Sequence, residues 1–256
     1  MVSPDLQTSI SWQNATDYGL TAGIQSLDPT ECEYWMESVE AGNLYVNRGV
    51  TGAIVNRQPF GGWKKSSVGA TAKAGGANYV ATLRNWNQMK HFLPMKEAAD
   101  EWLKSVGGLA IDPTGLSVEQ NLQRYRRYKK GLLVRIENGT SKDELDFLSW
   151  LKNDLGVMTR LSSDSLITGL ANLVVESAEE FAQHAKEFDR VRWLSAEIPP
   201  VYELMKNGIS CDRRPITLRG DIEVSRWFLE QSVSVTQHRY GNTNAGPKPV
   251  CSGLKL

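Results

Sequence analysis

The residues best suited to chemistry lie between 42 and 79, in the run G-N-L-Y-V-N-R-G-V-T-G-A-I-V-N-R-Q-P-F-G-G-W-K-K-S-S-V-G-A-T-A-K-A-G-G-A-N-Y. Residues 43–48 alternate, with Leu44 and Val46 on one side, which is the period of a half-buried strand. A long loop follows, holding Gly49, Gly52, Gly61, Gly62, Gly69, Gly75 and Gly76. Glycine suits places where backbone must turn at positive φ or approach a ligand closely, so such a loop offers peptide N–H groups to whatever it faces. The plain alternative is a glycine-rich surface turn with Phe60 as a core residue, the more common outcome for an isolated motif of this kind.

The elements that must hold this loop come before it. Ser3 as N-cap and Pro4 at the first helical position predict a helix over residues 3–16, with Leu6 and Ile10 on one face and Gly19 as its stop. T-A-G-I-Q-S reads as a short strand. Asp28, Pro29 and Glu31 open a second helix with a capping box, and Tyr34, Trp35 and Val39 give it an apolar side before Gly42 ends it. Both helices are expected to be scaffold for the strand at 43–48.

G-N-L-Y-V-N-R, Q-P-F-G-G-W-K-K-S-S-V-G and K-A-G-G-A-N-Y, in that order, resemble the C-terminal part of the NAD-dependent aldehyde dehydrogenase catalytic domain. The general pattern of that family ends F-G-G-x-K-x-S-G. Ser67 stands where the last glycine is usual, which narrows the resemblance to the L-glutamate γ-semialdehyde (1-pyrroline-5-carboxylate) dehydrogenase branch, including the version fused to proline dehydrogenase. The resemblance implies that Thr51, Gly52 and Ala53 form the substrate-carboxylate loop, with the Gly52 and Ala53 amides binding the anion and Phe60 lining the pocket. The physics is compatible: bare peptide N–H groups make an anion site, and an aromatic wall beside an aliphatic substrate excludes water. Ser66 and Lys64 are expected to fix the loop rather than to react.

The family's chemistry needs a cysteine nucleophile, an oxyanion site, a glutamate base and NAD as hydride acceptor. No catalytic or metal-binding residue is assigned in this sequence. Cys32, Cys211 and Cys251 are widely spaced, include no C-x-x-C pair, and leave His91, His184 and His238 scattered singly. Cys32 is expected to pack in its helix and Cys251 to lie in a loose tail. The chain is therefore expected to be a fragment or split product of such a dehydrogenase, oxidising the semialdehyde to L-glutamate in proline catabolism only with an upstream part that brings the cysteine and binds NAD. The alternative is a non-catalytic assembly or lid module that has lost the chemistry.

With 256 residues and a formal net charge of +0, the chain is long enough for one or two real cores, and its global charge gives no reason to expect nucleic acid. No signal-like or membrane-spanning apolar run is present in the sequence, so a cytoplasmic location is expected. The expected partners are the semialdehyde substrate, and a second copy of the chain or a complementing upstream fragment. The basic run R-Y-R-R-Y-K-K at 124–130 is expected on a helix, with Tyr125 and Tyr128 sharing its packed side.

Downstream of the loop, residues 79–83 are expected to be extended and Pro94 to open a helix ending at Gly107-Gly108. The turn-rich L-A-I-D-P-T-G-L places a boundary near 112: residues 1–112 as the C-terminal part of the catalytic domain, 113–256 as a second domain. Ser117 with Gln120, Ser141 with Glu144, and Ser177 with Glu180 have capping-box spacing and should head helices. Between and after them L-L-V-R-I, V-M-T-R-L, N-L-V-V, R-V-R-W-L, G-I-S-C and S-V-S-V-T read as strands, so the fold class is α/β with a mostly parallel sheet. No G-x-G-x-x-G follows any of these strands, which implies a degenerate Rossmann-like domain. The stretch R-R-P-I-T-L-R-G-D-I-E-V-S-R-W-F-L-E-Q-S-V-S-V-T-Q-H-R-Y-G-N-T resembles the non-catalytic C-terminal domain of long bifunctional proline-utilisation proteins. There His238 and Arg239 are expected in a packed terminal lid.

Overall fold

A computed structural model describes residues 2–68, 72–84, 93–157, 159–239, 242–243 and 246–254; Gly69, His91 and Met158 lie outside them. In order, the elements are α1 (Leu6–Asn14), β1 (Tyr18–Gly19), β2 (Thr21–Ile24), α2 (Pro29–Ser38), β3 (Asn43–Val46), β4 (Trp63–Lys64), α3 (Met95–Trp102), β5 (Glu119–Arg126), β6 (Leu132–Arg135), α4 (Lys142–Asn153), β7 (Thr159–Ser163), β8 (Leu173–Val175), α5 (Ala178–His184), β9 (Arg190–Trp193), α6 (Val201–Lys206), β10 (Cys211–Asp212), α7 (Gly220–Glu223) and β11 (Leu229–Thr236). Two larger sheets organise them, β2-β3-β11-β5 and β10-β9-β6-β7-β8.

The first sheet positions the loop. β3 runs parallel to both β2 and β11, while β11 runs antiparallel to β5, so strands from before and after residue 112 share one sheet. Successive side chains of a strand point to opposite faces. On one face Leu44, Val46, Leu122, Val233 and Val235 pack with Ile10 of α1 and Trp35 and Met36 of α2 in one buried apolar cluster. The opposite face carries Asn43, Tyr45, Glu119, Asn121, Tyr125, Ser232 and Ser234, all buried, and Glu230, half-buried at the start of β11. The V-S-V alternation of β11 thus separates an apolar side beneath the helices from a polar side beneath the loop.

The second sheet is parallel throughout. Its strands, counted within the sheet, lie in the order 3-2-1-4-5 when read from the β8 edge, the order of open doubly wound sheets. Leu132 and Val134 face one core and Leu133 the other, which is why this strand reads as a continuous apolar run. Capping boxes fix the starts of two helices: Ser141 and Ser177 accept from the N–H of Glu144 and Glu180, whose carboxylates accept from the N–H of Ser141 and Ser177. Beneath the sheet Arg192, fully buried, pairs with Glu223 at 2.9 Å.

Several local expectations are corrected. Asp5, not Ser3, caps α1, because its carboxylate accepts from Thr8 N–H at 2.7 Å. α2 ends at Ser38, earlier than Gly42, with Asp28 as its N-cap; Glu31 accepts from the Ser26 hydroxyl instead of completing a box. Val80–Leu83 is a turn of 3-10 helix rather than extended. Ser117 and Gln120 head no helix: Glu119–Arg126 is strand β5, drawn out by eight register pairs with β11, and Tyr125 and Tyr128 are buried without one. Cys251 packs half-buried against the α1–α2 cluster, not in a loose tail. His238 and Arg239 are exposed on a two-residue strand paired with Asn242–Thr243, not packed.

Glu37 of α2 ties the helix face to β5. It bonds Arg124 Nη1 and Arg126 Nη1, each at 2.5 Å, and the Arg124 side chain is fully buried. Burial alone would raise the Glu37 carboxyl, but the hydrogen bonds and charges of the two arginines outweigh it and bring it from 4.5 to about 2. A carboxyl depressed on folding stabilises fully above its unfolded value and loses that contribution as pH falls through its folded one. Urea denaturation between pH 5 and pH 2 is therefore expected to show a decline that is shallower in Glu37→Gln, which lacks the titrating group.

Candidate functional site

The loop leaves β3 through Asn47, which adopts positive φ (58°), and its side chain bridges the Ser26 backbone. Tyr45, buried on the polar face, donates its hydroxyl to Gly52 O at 2.8 Å. In a trans peptide the C=O and the following N–H point in opposite directions, so drawing the Gly52 carbonyl inward turns the Ala53 N–H outward. Among the described residues neither the Gly52 nor the Ala53 N–H has an acceptor, and both residues are exposed. Gly52 has φ 136°, and a Cβ there would lie 2.6 Å from the Gln58 amide, so this position demands glycine.

Residues 54–58 close a turn: Ile54 N–H donates to Gln58 O at 3.1 Å, and Gln58 N–H to Ile54 O at 2.7 Å. The turn sets Gly52 and Ala53 on one leg and Phe60 on the other. Both feet of the turn reach one carboxylate of β5, since Arg48 (2.7 Å) and Arg57 pair with the buried Glu119. With its amide oxygen facing Arg48, Gln58 accepts from Nη1 and Nη2 at 2.8 Å.

Phe60 is half-buried and bridged to Ala74, N–H to O at 2.9 Å in both directions. Beneath this bridge lies a set of buried polar groups. Lys73 is 2% exposed, and its Nζ donates to Gly61 O at 2.5 Å and to Asn43 Oδ1 at 3.1 Å. Glu230 accepts from Lys73 N–H at 3.0 Å and from Asn78 Nδ2 at 2.8 Å, and Asn78 also donates to Tyr125. Ser232 donates to Pro59 O at 2.7 Å and Trp63 to Glu230 O at 2.8 Å. Burial pushes the Lys73 ammonium down to about 7 against the pull of Glu230. Burial likewise raises the Glu230 carboxyl, opposed by its hydrogen bonds to Asn78 and Lys73. Lys64 donates to Asn14 O and Thr16 O and pairs with Glu40, while Ser66 accepts from Gly19 N–H, so both fix the loop's far end to the α1–β1 segment.

Residues 1–90 match the aldehyde dehydrogenase family. The chain is 46% identical over 77 residues to 1-pyrroline-5-carboxylate dehydrogenases of Bacillus cytotoxicus and Bacillus mycoides, which is 30% of this chain and 15% of each relative. It is also similar to a solved structure of proline utilization A from Corynebacterium freiburgense, at 36% identity and a TM-score of 0.69, over 94% of this chain and 25% of that one. The chain thus resembles a partial 1-pyrroline-5-carboxylate dehydrogenase of the long, proline utilization A type, and it spans only a small part of the relatives it matches.

The aldehyde dehydrogenase resemblance implies NAD, and the doubly wound sheet is where a dinucleotide would be sought, at the crevice between β6 and β9. The residues there do not fit it. The Glu137 carboxylate already accepts from Ala196 N–H at 2.7 Å and Ser195 Oγ at 3.2 Å, and would oppose a pyrophosphate. Arg135 is withdrawn over the Trp193 ring and bonded to Ser162 and Glu176. Hydride chemistry is accordingly assigned to no residue of this chain.

The cysteines are no better placed as nucleophiles, which act as thiolates. Cys32 is buried on the helix face of the first sheet, opposite the loop, and burial raises its thiol. Burial pushes Cys211 up to about 11 and also raises Cys251. Among the described residues no group of three His, Cys, Asp or Glu can hold a metal, and no helix is long and apolar enough to cross a membrane. A cavity of about 450 Å³ lies at the seam near Glu40, Trp63, Tyr125 and Leu254, and none of Gly52, Ala53 or Phe60 lines it.

Sequence reasoning placed Gly52, Ala53 and Phe60 on one loop and missed Lys73, Glu119 and Glu230. A weak signal existed: β11 carries an acidic residue two positions before its serine–valine alternation, on the hydroxyl side. Gly42 is a further constraint, because a Cβ there would sit 2.0 Å from Gly61 O, the carbonyl that Lys73 holds. Gly42→Ala should cost about 1–3 kcal/mol in chemical denaturation. Gly49→Ala, whose Cβ meets nothing closer than 4.0 Å, should leave the curve unchanged.

Proposed function

We propose that this chain supplies the substrate-carboxylate loop of an L-glutamate γ-semialdehyde dehydrogenase, an NAD-dependent enzyme that oxidises the semialdehyde to L-glutamate in proline utilisation. The observation that carries the reading is the pair of exposed residues Gly52 and Ala53, whose N–H groups have no acceptor among the described residues, held across a tight turn from half-buried Phe60. Peptide dipoles of this kind bind a carboxylate without a formal charge. Phe60 would border the aliphatic carbons and shield them from water. The resemblance over residues 1–90 supports the same roles.

On this reading the nucleophile, the base and the NAD site come from polypeptide outside these 256 residues. Residues 1–112 are the C-terminal part of the catalytic domain, and residues 113–256 form a non-catalytic α/β domain. Its strands β5 and β11 back the loop.

The test is direct. L-glutamate, which has the substrate's α-carboxylate and is the product, should shift the backbone amide resonances of Gly52 and Ala53 downfield in a saturable way when titrated into the 256-residue chain. The diamine 1,4-diaminobutane, which has no carboxylate, should not. Saturable shifts confined to other residues would place the acid group elsewhere and end the proposal.

A further inference from the structure

We infer that Glu230 is a positioning residue for Phe60, and so sets how tightly the loop grips the aliphatic part of its ligand. The inference rests on the loop reading above and adds a residue to it from the opposite end of the chain.

Glu230 touches neither Phe60 nor the anion-binding amides, but the route between them is short. One carboxylate oxygen accepts from Lys73 N–H and the other from Asn78 Nδ2. Lys73 adjoins Ala74, whose N–H and O are both bonded to Phe60. The Lys73 side chain also holds Gly61 O, the carbonyl next after Phe60, and Asn43 of β3. The residue 59–61 segment is therefore gripped by Ser232 at Pro59, by Ala74 at Phe60 and by Lys73 at Gly61. Two of these three grips pass through residues 73 and 74, and Glu230 fixes that backbone to the sheet. Its own place is set by the register of β11 against β5, where Glu230 lies opposite Tyr125, and Asn78 joins the two by bonding both.

The leg carrying Gly52 and Ala53 is held by other groups, Tyr45 at Gly52 O and Arg48 and Arg57 on Glu119. Apart from the turn that joins them and Asn56 N–H, which donates to Gly75 O at 2.9 Å, the two halves of the ligand grip are thus braced by different side chains. Loss of Glu230 should disturb the aromatic wall and spare the anion site. Two methylenes packed against Phe60 are worth roughly tenfold in affinity.

The experiment compares L-glutamate with glycine, which keeps the α-carboxylate and ammonium but lacks those methylenes, by following the Gly52 and Ala53 amides of the full chain. Glu230→Leu, of similar volume but without acceptors, should weaken L-glutamate about tenfold toward the affinity of glycine and leave glycine unchanged. Glu230→Gln, which keeps one oxygen for Lys73 N–H, should restore most of the difference. Hydrogen exchange at Phe60 N–H should quicken in Glu230→Leu and recover in Glu230→Gln. Should Glu230→Leu not fold, Asn78→Ala removes one of the two bonds and should give a smaller loss in the same ratio.

A folded variant that is less stable yet keeps the glutamate-to-glycine ratio would show Glu230 to be purely structural and overturn the inference alone. A chain whose Gly52 and Ala53 amides ignore L-glutamate would overturn the loop reading and this inference with it. Unchanged exchange at Phe60 in Glu230→Leu would refute the positioning route whatever the ligand does.

Discussion

The structure depends on the two-residue period of one four-stranded sheet. Because β3, β5 and β11 each alternate, Leu44, Val46, Leu122, Val233 and Val235 are gathered on one face and Asn43, Tyr45, Glu119, Glu230 and Ser232 on the other. The apolar face is covered by α1 and α2 in the ordinary way. The polar face is largely buried too, and buried polar groups are costly unless each finds a partner. The covering element must therefore bring donors and acceptors rather than methyl groups. A glycine-rich loop does so with its backbone: Pro59 O, Gly52 O, Gly61 O and Lys73 N–H all meet side chains of that face or its neighbours.

This explains how a long loop with so little regular structure holds a defined shape. Most of its bonds to the sheet are polar contacts that are at least partly buried, and such contacts are directional where apolar packing is not. Within the exposed part, around residues 50–56, Ile54 and Asn56 N–H are bonded to Gln58 O and Gly75 O, while the Gly52 and Ala53 N–H groups have no acceptor among the described residues. The loop is thus divided into an anchored portion and an offered portion, and Gly52 sits at the junction, its carbonyl inward on Tyr45 and the next amide outward.

Much of this was visible in the amino-acid order. The Ser141 and Ser177 boxes, the Asp28 cap and the six strand runs were readable because each signal is local, carried within a few residues. The stretch from Ser117 misled for the same reason: its capping-box spacing is a local signal, but eight pairs with β11, more than a hundred residues later, override it. The loop residues were legible through glycine and the resemblance. Glu119, Glu230 and Lys73 were not, since a charged residue whose partners lie far along the chain is indistinguishable in sequence from one on a solvated face. Only the pairing of β11 between β3 and β5 gives those charges their meaning.

The choice of ionic and polar groups, instead of an apolar face, bears on register. If β11 slipped by one residue against β3, Val233 and Val235 would turn toward the loop and Glu230 and Ser232 toward the α1–α2 cluster. A carboxylate without partners in an apolar core costs several kcal/mol, far more than a misplaced valine. Glu230 and Glu119 thus penalise the wrong pairing as strongly as they support the right one. Arg124 adds the same restriction from the other face, because only in this register does it reach Glu37, Gln231 and Met36 O together. The groups that hold the loop are therefore the groups that determine which strand alignment exists, so the geometry at Gly52, Ala53 and Phe60 is inherited from the pairing of the sheet beneath them.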